Sequence, residues 1–294
     1  MRALTALLRA ARQDLRDAGR AFDMVEERAR FERMCEGLLR ADVQLEPGVV
    51  AGVPTERAVP RDAGPGLVVY LHGGAYRMGS LRSHRGIASR LAVATRTTVL
   101  SVGYRLAPEH PFPAAVDDAR AVLEVLTADR RRPIALCGDS AGGGLALATT
   151  LMLRDAGAPL PQALAVISPW TDLTCSGATY GSHAAVDPVL DCDDSRRTAA
   201  EYLGGIDPRD PLASPLHADL RGLPPLLVQV GDAEILLGDS LALVDVARAA
   251  GVDVTLSVYP GAIHAFPMYD VLPESGAALA EIARFLAARG FASA

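Results

Sequence analysis

The chain has 294 residues, 50% of them hydrophobic, and a formal net charge of -6; this is enough apolar content for one large core, and the acidic balance argues against nucleic acid, which needs a basic footprint. All 29 basic residues are arginine, since neither lysine nor asparagine occurs. That excludes a lysine Schiff base, a P-loop lysine, a Cys-His-Asn nucleophilic site and N-glycosylation.

Met1 to Arg40 sets Leu4, Leu7, Leu8, Leu15, Phe22, Val25, Phe31, Met34 and Leu38 at roughly helical intervals, which predicts a surface helix pair. Arg9, Arg12, Asp14 and Arg16 interrupt the stretch, so it reads as neither a signal-peptide core nor a membrane span. Val49 to Val59 reads as antiparallel edge strands around a turn at Gly52. Strands are then expected near 67–71, 97–103, 133–138, 163–168, 226–230 and 253–258, alternating with helices near 82–95, 114–128, 141–155, 240–250 and 275–288. Such alternation predicts an α/β fold, a mostly parallel sheet covered on both faces. Thr174 to Leu220, rich in Asp and Pro, breaks the pattern and has room for an inserted helix at Asp194–Leu203. Arg130-Arg131-Arg132 reads as a solvated connector. Cys35, Cys137, Cys175 and Cys192 lack framework spacing and read as free thiols, Cys137 as a buried small hydrophobe; a cytoplasmic location is expected.

Gly138-Asp139-Ser140-Ala141-Gly142 follows the apolar run 133–137 and precedes a helix-like segment. Strand, tight turn and helix are the setting in which two glycines lift a serine hydroxyl clear of a sheet. Upstream, the buried strand 67–71 runs into His72-Gly73-Gly74-Ala75-Tyr76, whose small residues let backbone N–H groups approach a reacting atom. His72 lies too near the strand end to be the base and is expected to brace the loop. His264 follows the strand 253–258 and titrates near neutrality, as a base for serine must. His84, His110, His183 and His217 are expected as surface or capping residues, and no HxH, HExxH or CxxC spacing supports a metal. An orienting carboxylate is expected after the strand 226–230, where Asp232 and Glu234 compete.

With these residues in place the chain resembles the bacterial branch of the hormone-sensitive lipase family of esterases. The resemblance runs from about Gly66 onward and is carried by His72-Gly73-Gly74, the run Tyr104 to Ala115, the elbow through Gly143, and Leu223-Pro224-Pro225. It implies the α/β-hydrolase fold as a single domain over 1–294, with cap elements at about 1–40 and 180–205 that include Phe31, Met34 and Tyr202. It implies Ser140 as nucleophile, His264 as base, and an oxyanion hole at Gly73, Gly74, Ala75 and Ala141. Counting from Leu223-Pro224-Pro225 puts the acid on Glu234, 30 residues before His264, with Asp232 as the alternative. Three departures stand out: Ala75 replaces the loop's third glycine, Glu234-Ile235-Leu236 replaces Asp-Pro-Leu, and Ala265 follows His264 where glycine is usual.

The expected activity is hydrolysis of short-chain carboxylic esters without metal or organic cofactor. Lactonase, amidase or secondary-metabolite deacetylase activity are alternatives. A non-catalytic receptor of the same fold is the reading from another class, disfavoured because plant hormone receptors of this fold lack the working histidine. The expected partner is a small ester, with a homodimer as the assembly to test.

Overall fold

The computed structural model describes residues 4–10, 23–35, 37–129 and 132–291. Eight strands form one sheet in the order β1-β2-β4-β3-β5-β6-β7-β8. They are β1 (Val43–Val50), β2 (Val53–Pro60), β3 (Leu67–Leu71), β4 (Thr98–Val102), β5 (Ile134–Asp139), β6 (Ala163–Ile167), β7 (Leu226–Gly231) and β8 (Val254–Tyr259). From β4 to β8 in that order every neighbouring pair is parallel, and β2 runs antiparallel to both β1 and β4.

The central strands are apolar on both faces because helices cover both. Val68 and Tyr70 of β3 join Ile87 and Leu91 of α3 (Arg85–Thr95) and Ile282 of α9 (Pro273–Ala287) in one cluster. Leu67, Val69 and Leu71 point the other way, toward Val122 of α4 (Ala114–Ala128), Leu147 of α5 (Ala141–Asp155) and Leu243 of α8 (Leu237–Ala249). The period-two alternation of a strand thus divides five consecutive apolar residues between two cores.

The edge assignment needs correction. The hairpin turns at Ala51 and Gly52, as the sequence predicts, but of its two strands β1 alone lies at the sheet edge; β2 pairs on both sides. Strand β1 also begins at Val43, since Pro47 and Gly48 are tolerated in an exposed edge strand and do not end it.

Between β6 and β7 lie α6 (Thr179–Ser182) and α7 (Cys192–Leu203). Helix α7 starts where the Asp191 carboxylate accepts the N–H groups of Asp193 and Asp194, and it stops at Gly204 in the left-handed region, φ 58°. Near the N-terminus, α1 (residues 4–10) brings Leu8 into an apolar cluster with Ile263, Phe266 and Leu272, and α2 spans Met24–Cys35. Of the residues expected to form the first helix pair, Leu15 and Phe22 lie outside the described residues, as do Arg130 and Arg131 of the expected connector. All four cysteines are free thiols, and Cys137 is buried in β5. Among the described residues no helix is long and apolar enough to cross a membrane.

Candidate active site

Strands β3, β5, β6, β7 and β8 are consecutive in the sheet, and the loops at their C-terminal ends converge. Ser140 stands between β5 and α5 with φ 54° and ψ -122°, a conformation costly for any residue with a Cβ. The turn is held by Ser140 N–H to Ile167 O (2.8 Å) and by Trp170 N–H to Ser140 O (2.9 Å). Glycine is obligatory on either side: a Cβ on Gly138 would lie 2.3 Å from Gly142 O, and one on Gly142 would lie 2.1 Å from Leu71 O.

His264, in the loop after β8, places Nε2 2.9 Å from Ser140 Oγ and Nδ1 2.7 Å from Glu234 Oε2. With Nδ1–H donated to the carboxylate, Nε2 is left as the acceptor for the serine hydroxyl. Glu234 is fully enclosed in the loop between β7 and α8, and its Oε1 accepts from Gly231 N–H (2.8 Å) and Ser168 Oγ (2.7 Å). Burial works against a charged imidazole, but the adjacent Glu234 carboxylate prevails and raises the His264 pKa above its ordinary 6.5. Asp232 is exposed and accepts from Gly261 N–H at 2.6 Å, capping the turn that leads to His264.

Facing the serine is the loop after β3. Gly74, Ala75 and Tyr76 all have positive φ, 118°, 56° and 60°. Among the described residues nothing accepts a hydrogen bond from the N–H of Gly74, Ala75 or Ala141. Gly73 differs and is a correction to the expected donor set: its N–H is bonded to Asp139 Oδ1 at 3.0 Å. The His72 Nδ1 lies 2.8 Å from Gly73 O, and its ring stacks on Tyr104 at 4.2 Å. Burial pushes its pKa down to about 3, so it stays neutral and braces the loop.

A family profile described as alpha/beta hydrolase fold matches residues 68–268. An acetyl-hydrolase of Streptomyces hygroscopicus is 49% identical over 222 residues, 74% of either chain. The chain belongs to the α/β-hydrolase family, in its bacterial hormone-sensitive lipase branch. An esterase of Acinetobacter venetianus strain RAG-1 is 39% identical over 83% of this chain and 82% of its own. The crystal structure of an esterase from the bacterial hormone-sensitive lipase family superposes with a TM-score of 0.91 at 43% identity, covering 97% of this chain and 96% of that one. The activity class is carboxylic ester hydrolysis.

In this hydrolase both alanines that stand in place of glycine, Ala75 and Ala265, adopt the left-handed backbone, φ 56° and 49°. Further residues bear on the site without having been expected to. Ser168 touches Glu234 and also accepts from Ala265 N–H at 3.1 Å. The buried Asp187 takes the N–H of Ile235, the residue after Glu234, at 2.8 Å. His84, expected as a surface or capping residue, is the N-cap residue of α3 and is fully buried, with Nε2 3.5 Å from Asp139 Oδ1 and its ring 5.3 Å from that of His72. Phe31 packs on the His84 ring at 6.3 Å behind that loop, and Met34 is exposed. Tyr202 of α7 stacks on Tyr76 at 3.8 Å, and Glu201 pairs with the buried Arg77 at 2.9 Å. A serine or aspartate at the C-terminal end of a buried parallel strand is a signal that would have flagged Ser168, because α/β sheets gather their sites there. Among the described residues no three His, Cys, Asp or Glu side chains are grouped so as to hold a metal ion.

Proposed function

We propose that the chain is a serine carboxylesterase acting on small esters of short acyl chains, through an acyl-enzyme on Ser140. The observation that carries this reading is the unbroken relay Glu234–His264–Ser140, with links of 2.7 and 2.9 Å. His264 takes the proton as Ser140 Oγ bonds to the ester carbonyl carbon. The N–H groups of Gly74, Ala75 and Ala141 hold the oxyanion, and the N-terminal end of α5 adds its dipole. Collapse of the intermediate expels the alcohol, which receives the proton from His264. Water then attacks the acyl-enzyme with His264 again as base, releasing the acid and Ser140.

The methyl group of Ala75 narrows the acyl side of the site, which favours short chains, and the name of the Streptomyces acetyl-hydrolase favours acetyl esters among them. In the same reading, the described parts of the segment 1–40 (residues 4–10, 23–35 and 37–40) and residues of about 180–205 cap the site: Leu8 packs with the His264 loop, and Tyr202 with the glycine loop. A cytoplasmic location accords with four unpaired thiols.

The test is a series of aryl esters of graded acyl length, run beside lactones and amides, with wild type and Ser140→Ala. Wild type should prefer acyl chains of about two to six carbons, and Ser140→Ala should lose on the order of 10³-fold or more in rate. A folded Ser140→Ala protein retaining a tenth of the activity would refute the nucleophile. Faster cleavage of emulsified long-chain triglycerides than of a soluble butyrate would refute the substrate class.

A further inference from the structure

Glutamate has one more rotatable bond than aspartate, so a glutamate in the acid position must be pinned if it is to present a single oxygen to the imidazole. In this chain the pin comes from β6. Ser168, the residue after that strand, is wholly buried and adopts φ 46°. Its N–H donates to Gln229 O at 2.7 Å, tying it to β7, the strand that leads to Glu234. Its hydroxyl faces two ways, donating to Glu234 Oε1 at 2.7 Å and accepting from Ala265 N–H at 3.1 Å. Gly231 N–H supplies the second bond to Oε1, at 2.8 Å, which leaves Oε2 for His264.

We propose that Ser168 is a positioning residue that locks the acid loop and the base loop into one unit, fixing both the Glu234 carboxylate and the backbone beside His264. The proposal rests on the triad reading above. Only a hydroxyl suits this position, which needs one donor and one acceptor on a short side chain; alanine has neither, and an ionised carboxylate cannot donate. The left-handed backbone further disfavours threonine, whose branched Cβ is crowded there.

Removing the Ser168 hydroxyl takes one of two donors from Oε1 and concentrates charge on the carboxylate facing His264. The imidazolium is then held more strongly, so the acid limb of the kcat/KM profile moves to higher pH. A group that served packing alone would lower stability and leave that limb in place.

The experiment measures kcat, KM and the pH profile of Ser168→Ala and Ser168→Gly on a soluble aryl acetate, beside wild type and Ser140→Ala, with Tm recorded for each. The expected result is a kcat loss of about 10- to 100-fold in both variants, the value of a hydrogen bond to a charged group, with KM within about twofold and the limb displaced upward. Glycine relieves the backbone while alanine does not, so an equal loss in both assigns the effect to the hydroxyl. Wild-type kcat, or a lowered Tm with an unmoved limb, in either variant overturns the proposal and leaves the triad standing, provided Ser140→Ala is inactive. If Ser140→Ala is active with the wild-type profile, the triad reading fails and this proposal falls with it.

Discussion

Glu234 and Asp232 lie two residues apart, and their surroundings assign them different work. Glu234 is enclosed and meets His264, whereas Asp232 is exposed and holds a turn. Glu234→Gln should therefore lower kcat by about 10²- to 10⁴-fold with little change in KM, and Asp232→Asn by far less; steady-state kinetics of the two variants checks the assignment. The pH dependence has a definite sign. In the proposed mechanism His264 must be neutral to act as base, and Glu234 raises its pKa above 6.5, so kcat/KM should rise with pH through a midpoint above that value. Glu234→Gln removes the cause and should shift the residual activity's midpoint downward. That Glu234 is the carboxylate that meets His264 was legible from the interval between them and from the Leu223-Pro224-Pro225 register. For Ser168 the strand-end position was legible but the role was not, because the role depends on a left-handed backbone and on partners 66 and 97 residues away.

The glycine loop and α7 are joined by neighbouring pairs of side chains. Tyr76 stacks on Tyr202 with the rings 6° from parallel, and Arg77, buried beside it, pairs with Glu201. From the other side, Arg28 of α2 donates to Arg77 O at 2.8 Å and grips Glu109 through both terminal guanidinium nitrogens, Nη1 and Nη2. The loop is thus held between two helices, and loosening one side should affect both stability and rate. Tyr202→Ala should cost about 3–5 kcal/mol in chemical denaturation by removing a buried ring, and should lower kcat with it. Tyr202→Phe should be neutral or stabilising by about 1 kcal/mol, because the buried Tyr202 hydroxyl has no hydrogen-bond partner among the described residues. A loss in Tyr202→Phe as large as in Tyr202→Ala would contradict this account. The bounds of α4 and α5 could be read from periodicity, as could the C-terminal end of α7 at Leu203, whereas its start lies at Cys192, two residues before the expected Asp194. The extent of β1 could not, since an exposed edge strand shows little alternation and Pro47-Gly48 imitates a turn.

Across the whole molecule, strand order explains why residues from 73 to 265 meet: five successive parallel strands deliver their loops to one end of the sheet. Alternating apolar strands and amphipathic helices made that layering readable, whereas the packing of α3 beneath the glycine loop, which buries His84, depends on contacts that periodicity does not encode. The buried Asp239 links this framework to pH. Burial raises its pKa from 3.8 to about 8, while Thr171 and Asp172 N–H donate to its Oδ2. The folded state therefore binds this proton more tightly than the unfolded chain. Its contribution to stability is full below 3.8 and is lost progressively as pH rises to about 8. Asp239→Asn, which keeps the carbonyl acceptor, should flatten the fall of Tm between about pH 5 and 8; an unchanged slope would remove Asp239 from the explanation. Backbone strain has a consequence on the same scale. Among the described residues eight non-glycines have positive φ, and five of them, Ala75, Tyr76, Ser140, Ser168 and Ala265, surround the site. Each forgoes on the order of 1 kcal/mol that a relaxed residue would keep. Ala75→Gly and Ala265→Gly should each recover about that much, raising Tm by about 2–4 °C. Heat tolerance and turnover are therefore set in the same loops, and selection of this enzyme for survival at high temperature would reach its catalytic loops early.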